Sequence, residues 1–319
     1  MQAKQKYLDD VRDVLDTAAR EHATTFNPEY CFDSIIDEGS GRIAIKASLT
    51  IDNVESHVRA ELGKICSILR CTPLIIGERT RKRPLQDGVV HARGSIPAVT
   101  LETLRLMLEE NVYPLLLAKK GGIYVAMDGN KLKKTREERN FSRGDIAEEL
   151  GLSRRAIYEY ERGTISPTID VALRLEDFLN ASLIEPLNLL ETNTLSAKAK
   201  AGIEPPGRQT RLIKTTLEAF SRLGFDSTVA HDAPFNLLSS LHQHVFLSYL
   251  KQRLERLDEH RLEFLARLAD VLKEEPAIIA SDSPVVEVIS GVPVLSIKEL
   301  LSLENPNEFI ELIHSRRGA

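Results

Sequence analysis

The sequence predicts a multidomain chain in which an all-α module of short helices stands between two α/β domains. Three observations predict it. Residues 128–180 carry apolar positions at helical spacing, punctuated by serine and glycine at the segment ends. On either side, short apolar runs of strand length alternate with segments of helical period, as in α/β domains. The order and lengths of those segments correspond between the two flanks, so the flanks read as tandem copies. The expected bounds are an α/β domain over 1–120, the helical module over 121–192, a linker over 193–207 and a second α/β domain over 208–319.

The first flank is read as a helix over 7–21, then two strands, CFDSIID and RIAIKASL, around the turn Glu38-Gly39-Ser40-Gly41. A helix over 54–70 follows, then the buried strand TPLIIGE, and the short strand and helix of SIPAVTLETLRLML. The second flank repeats this order: a helix over 208–223, strands FNLLSSL and HVFLSYLK, a helix over 258–273, then PAIIASD and GVPVLSIKELLSL. Pro73-Leu74-Ile75-Ile76 matches Pro276-Ala277-Ile278-Ile279, and Ile96-Pro97 matches Val292-Pro293. Thr100 and Ser296 then cap the following helices, with Glu102 or Lys298 in the first turn.

In the middle, Leu132, Thr135 and Arg136 lie on a first helix. Ser142 caps a second, on which Ile146, Ala147 and Leu150 recur at helical spacing. Gly151 ends that helix in a left-handed turn, and Ser153 caps the next. The third helix, 153–162, turns Ile157 and Tyr160 inward and Arg154, Arg155, Tyr158 and Glu159 outward before Gly163 closes it. After Pro167, a fourth helix faces Val171, Ala172, Leu175, Phe178 and Leu179 inward. LIEPLNLL, 183–190, reads first as a fifth helix or helix extension sealing the module, though it is apolar enough to pack back onto a domain or another protomer. GIYVAM, in the connection before the module, could be a strand added to the first sheet.

Ile-Ala-x-x-Leu-Gly-x-Ser, then Tyr-Glu-Arg-Gly and Ser-Pro, fall in a register that resembles the helix-turn-helix of the Cro and phage-repressor family. The resemblance implies that helix 153–162 enters the major groove of double-stranded DNA, with Arg154, Arg155 and Glu159 reading bases. Arginine matches the two acceptors of guanine, and glutamate the amino group of cytosine. It also implies phosphate contacts from Ser142, Arg143, Tyr158 and Arg162, and an ion pair between Arg136 and Glu161. Residues 128–180 hold ten Lys and Arg against eleven Asp and Glu. Phosphate neutralisation by one module is therefore modest, and a symmetric homodimer on two half-sites is expected.

The flanks resemble the restriction-endonuclease-like fold, in degenerate form. That fold implies an Asp on the first strand of the hairpin and an acidic-x-Lys on the second, holding magnesium. Asp33 and Lys46 fall at two of these positions, but Ala44 stands where the second acid would be. In the second flank the corresponding places are read as Asn236, Phe246 and Ser248. No catalytic residue, metal or cofactor is therefore expected; a metal-dependent nuclease delivered to DNA by the module is the alternative. Gly77-Glu78-Arg79, the run from Leu85 to Val90, His91-Ala92-Arg93, Ile96-Pro97-Ala98 and Gly121-Gly122-Ile123-Tyr124-Val125 are similar to a family of archaeal predicted transcriptional regulators.

Composition leaves the burden on local geometry. A net charge of −5 does not announce a nucleic-acid binder. Cys31, Cys66 and Cys71 lack paired metal spacing, and no run approaches a membrane span, so a cytoplasmic, DNA-associated regulator is expected. The α/β domains would serve dimerisation, a small effector or contact with the transcription machinery. Arg79, Arg81, Lys82, Arg83 and Arg93 cluster around a turn that suits phosphate or is simply a solvated loop. His242 and His244 suit a metal site or a hairpin turn bearing surface histidines.

Overall fold

The computed structural model describes residues 2–94, 96–190, 210–254, 257–281 and 286–317. The expected linker 193–207 lies outside the described residues.

The chain opens with α1 (Gln2–Ala18), three residues shorter at its end than the periodicity suggests. Residues Glu21–Thr24 instead form a strand, β1, because Ala23 is buried and the segment pairs antiparallel with β2 (Ser34–Asp37). Next come β3 (Arg42–Ala47), a single 3-10 turn at Ile51–Asn53, α2 (Ser56–Leu69) and β4 (Thr72–Ile76). A strand not expected from the sequence, β5 (Val89–Arg93), precedes β6 (Ile96–Val99) and α3 (Leu101–Glu109), which Thr100 caps by accepting from the Thr103 amide. The segment GIYVAM is a strand: β7 (Leu116–Lys119) and β8 (Gly122–Met127) form an antiparallel pair.

Four helices follow: α4 (Gly129–Glu138), α5 (Arg143–Leu150), α6 (Arg154–Glu161) and α7 (Ile169–Leu179). The fifth helix does not form. Residues Ile184–Glu185 make β9, which pairs with β8, and Leu187, Leu189 and Leu190 run into the core beneath α1 and α3. The Pro186 ring and the backbone pairing with β8 oppose helix there, and the first sheet offers a better apolar surface. The Glu176 carboxylate anchors the start of this strap, accepting the amides of Leu183 at 2.5 Å and Ile184 at 2.8 Å.

The second α/β region comprises α8 (Arg211–Arg222), β10 (Asp226–Val229), β11 (Leu237–Leu241), β12 (His244–Lys251), α9 (Glu259–Leu272), β13 (Glu275–Ala280), β14 (Val288–Ile289), β15 (Val292–Ser296), α10 (Ile297–Ser302) and α11 (Pro306–Arg317). Its sheet runs β10-β11-β12-β13-β15-β14, and the first begins in the same succession, β1-β2-β3-β4-β6-β5, before adding β7, β8 and β9. His242 takes a left-handed conformation at the β11–β12 turn, and His244 opens β12 exposed beside it.

One face of the first sheet packs Ile36, Ile43, Ile45, Leu74 and Ile76 against Tyr7, Val11 and Leu15 of α1 and Leu104 and Met107 of α3. Its other face shares a core with the second region, joining Leu62, Ile65 and Leu69 of α2 to Phe264, Leu265 and Leu268 of α9. The packing is reciprocal, with α9 against β1 and β2 and α2 against β11. Matching polar ties rim it: Lys64 Nζ donates to Val229 O at 2.6 Å, and Arg267 Nε donates to His22 O at 3.1 Å. Among the described residues, no helix is long and apolar enough to cross a membrane.

Candidate nucleic-acid interface

The helical module is built around Leu132, Ile146, Ala147, Leu150, Ile157, Leu175, Leu179 and Leu183, all buried together. Ser142 and Asp145 close α5 with a reciprocal capping box: the serine hydroxyl accepts the Asp145 amide at 3.2 Å, and the carboxylate accepts the Ser142 amide at 2.7 Å. That backbone N–H holds the Asp145 carboxyl below the usual carboxylate range. Gly151 ends α5 at φ 65°, a conformation costly for other residues, and the chain turns at once into α6, capped by Ser153.

The turn puts Arg154 and Arg155 at the exposed front of α6, with the Arg155 side chain 88 % exposed. The Arg154 guanidinium lies across Gly144, where a Cβ would stand 3.1 Å from it. About two turns further on, Glu161 is buried to 2 % exposure and binds two arginines: Arg136 Nε donates at 2.5 Å and Arg143 Nε at 2.8 Å. Arg136 is itself buried and also donates to Phe141 O and Glu137. The Glu161 carboxylate raises its already high pKa further. The Tyr158 ring lies between the Arg143 and Arg162 guanidinium carbons, 5.1 and 5.5 Å from its centroid, and Arg162 Nη1 donates to the phenol oxygen at 3.3 Å. Arg136, Glu137, Ser142, Arg143, Gly144, Arg154, Arg155 and Tyr158 line one open concavity. Donors for oxyanions are thus fixed along its wall by a buried carboxylate and an aromatic ring.

Glu159 departs from the outward position read from the sequence. Its side chain is 23 % exposed, and its carboxylate accepts the Thr164 hydroxyl, tying α6 to the turn after Gly163. A short hydroxyl donor five residues on captures a glutamate that helical spacing alone would turn to solvent. Asp145, which completes the capping box, and Gly144, which makes room for Arg154, were not singled out from the sequence; the Ser-x-x-Asp spacing would have given the first.

Asp33 and Lys46 do meet. Lys46 Nζ donates to Asp33 Oδ1 at 2.9 Å and to Tyr30 O at 2.6 Å, while Asp33 Oδ2 accepts the Ala47 amide at 2.7 Å. Burial raises the Asp33 pKa, opposed by Lys46. In the second region, Ser34↔Ile45 corresponds to Leu237↔Ser248, which aligns Lys46 with Tyr249 and Ala44 with Leu247. The expected places Phe246 and Ser248 are therefore one residue out, on the opposite face of the strand. Asn236 does match Asp33: its Oδ1 accepts the Leu250 amide at 2.8 Å, the counterpart of the Asp33 bond to Ala47. The fold family's magnesium does not fit these residues. Asp33 is a single carboxylate with both oxygens engaged, Ala44 offers no donor, and no group of three His, Cys, Asp or Glu suited to a metal occurs among the described residues.

The fold and this surface define a helix-turn-helix protein with a nuclease-like α/β domain before the module. Residues 4–114 match the family described as PD-(D/E)XK superfamily domain, and residues 132–185 match the family described as Helix-turn-helix. Over 295 residues the chain is 34 % identical to a protein of Methanocaldococcus jannaschii, covering 89 % of each. It is 31 % identical to a protein of Pyrococcus horikoshii, covering 89 % of each, and 31 % identical to one of Methanoculleus marisnigri, covering 89 % of this chain and 90 % of that one. All three carry the name "Putative HTH-type transcriptional regulatory protein". The chain belongs to this archaeal family. No solved structure matches it.

Proposed function

We propose that the protein is a sequence-specific DNA-binding transcriptional regulator that reads the major groove with α6. The observation that carries this reading is the pair of exposed arginines, Arg154 and Arg155, beside a wall of arginines held by Glu161. Arg154 and Arg155 read bases. Ser142, Arg143, Tyr158 and Arg162 contact phosphate, while Arg136 and Glu161 hold the module together. Glu159 reads a base only after releasing Thr164. The protein acts as a symmetric homodimer on two half-sites, since one module with ten basic and eleven acidic residues gains little from phosphate neutralisation alone. It works in the cytoplasm on DNA, and its α/β domains receive a small effector or contact the transcription machinery.

The α/β domains, over 1–120 and 208–319, are tandem copies of one degenerate fold that carry no catalysis. The shared strand succession and the matching Asp33 and Asn236 bonds support this. An amide makes the same strand-end bond as the carboxylate, so that bond needs no metal. Module 121–192 is docked on the first domain by β8, β9 and the strap of Leu187, Leu189 and Leu190. The alternative, a metal-dependent nuclease targeted by the module, draws on the PD-(D/E)XK match and on the Asp33–Lys46 pair.

Selection of bound duplexes from a random pool, with magnesium present and the recovered DNA checked for breaks, tests both. The expected result is an intact two-fold motif. Cleavage lost in Lys46→Ala would install the nuclease reading in its place.

A further inference from the structure

We propose that the hairpin over residues 78–85 of the first α/β domain is a second DNA-backbone contact, gripping phosphodiesters beside the site read by α6. This rests on the DNA-binding reading above and adds a surface outside the helical module.

Four cations, Arg79, Arg81, Lys82 and Arg83, fall within five residues, and all four are exposed. Lys82 and Arg83 have no ion-pair partner among the described residues. Their backbone is nonetheless tightly built. Arg79 and Pro84 pair as an antiparallel bridge, and Leu85 N donates to Glu78 O at 2.8 Å. Thr80 is buried beneath the tip, where its hydroxyl accepts the Lys82 and Arg83 amides at 3.1 and 2.9 Å. Asp52 accepts the Arg81 amide at 2.9 Å and the Arg93 guanidinium at 2.9 Å. A solvated loop needs no such scaffold, whereas a rigid tip with splayed cations loses little entropy when it meets a polyanion.

His91 is buried, its Nε2 has no hydrogen-bond partner, and burial together with Arg93 and Arg83 pushes its pKa down. The cations stand on an exposed tip, which suits an extended phosphate backbone better than a small anion needing enclosure.

Topology supplies the placement. The strand pairings Ile76↔Val99, His91↔Ala98, Val89↔Leu116 and Leu116↔Val125 put the end of β4, the start of β5 and the end of β8 on the same side of the sheet, at one end of its strands. The hairpin is rooted on β4 and β5, and the helical module on β8. In the order β4-β6-β5-β7-β8, these roots are two to four strand spacings apart, about 10–20 Å. That is within the width of one duplex. The hairpin also supplies what the module lacks, since the module's own charges nearly cancel.

The test is the salt dependence of binding by the full chain, on a duplex recovered in the selection, comparing wild type with Arg81→Ala/Lys82→Ala/Arg83→Ala. Thr80, Leu85 and Asp52 are untouched, and far-UV circular dichroism checks the fold. Each lost phosphate contact should reduce the slope of log K against log salt by about 0.9, so a fall of about 2–3 with an unchanged base motif is expected. An unchanged slope in a folded variant that keeps the wild-type motif would overturn the hairpin proposal and leave the reader function standing. Inorganic phosphate or polyphosphate binding lost in the variant, with the DNA slope unchanged, would overturn it equally. Absence of DNA binding by the wild type would defeat the underlying function instead.

Discussion

Glu161 is the residue whose removal tests the site most directly. Its carboxylate is 2 % exposed and binds Arg136 at 2.5 Å and Arg143 at 2.8 Å. Glu161→Ala leaves the Arg136 guanidinium, 9 % exposed, without its main countercharge. Removing one partner of a buried pair costs about 3–5 kcal/mol. Arg136 keeps Phe141 O at 3.0 Å and the half-exposed Glu137 at 3.1 Å. The cost should therefore fall at the lower end, about 3 kcal/mol, a large share of the stability of a small module. Replacing both partners by apolar residues, Arg136→Met with Glu161→Leu, removes the stranded charge and should recover most of the loss. Whole-chain melting would mix the module with the α/β regions, so native-state hydrogen exchange of α4 and α6 amides is the suitable assay. If the costs of Arg136→Met and Glu161→Leu simply add in the double variant, within about 0.5 kcal/mol, the two residues are not coupled and the reasoning is wrong.

Three further outcomes are expected. Arg154→Ala and Arg155→Ala should each cost about 1–3 kcal/mol of binding and relax base preference at one position per half-site, read by repeating the duplex selection. Gly41→Ala would drive a Cβ into the Leu190 carbonyl, loosening the strap by about 1–3 kcal/mol, seen as faster exchange over residues 184–190 with α5 and α6 unaffected. The Arg81 backbone N–H, then the Arg93 guanidinium, hold the Asp52 carboxyl below its ordinary range. Its folded pKa lies below the unfolded value, so its stabilisation is present above about pH 4 and is lost as pH falls through the folded value. Asp52→Asn should therefore weaken the hairpin at neutral pH and flatten its acid-side dependence, measured as protection of the Arg81 amide across a pH series.

The helical module was legible because its signals are local. Ser142, Gly151 and Ser153 mark helix ends, and Ile146, Ala147, Leu150 and Ile157 keep a period that belongs to one face. Strands missed in the sequence, β1, β5, β7 and β10 among them, are only four or five residues long and exist through pairing with partner strands, β1 with β2 and β5 with β6 and β7. The strap of Leu187, Leu189 and Leu190 was ambiguous for the same reason, since its partner surface is assembled from distant segments. In the site, spacing alone turned Glu159 outward; Thr164 holds it. The register of β11 and β12 was one residue out because an apolar run such as HVFLSYLK has no polar alternation to fix it.

The reciprocal packing of α2 and α9 has a consequence for synthesis. Arg267 reaches His22 across 245 positions of sequence, and Phe264 stacks on Tyr30 within the same shared core. At about 5–20 residues per second, His22 precedes its partner Arg267 by roughly 12–50 s of synthesis, and the helix and strands made after it wait for α9 in turn. During that interval Tyr30, Phe32, Leu62 and Ile65 have no second half to shield them. Chaperone demand in vivo, and the solubility of any truncated chain, should follow from that delay.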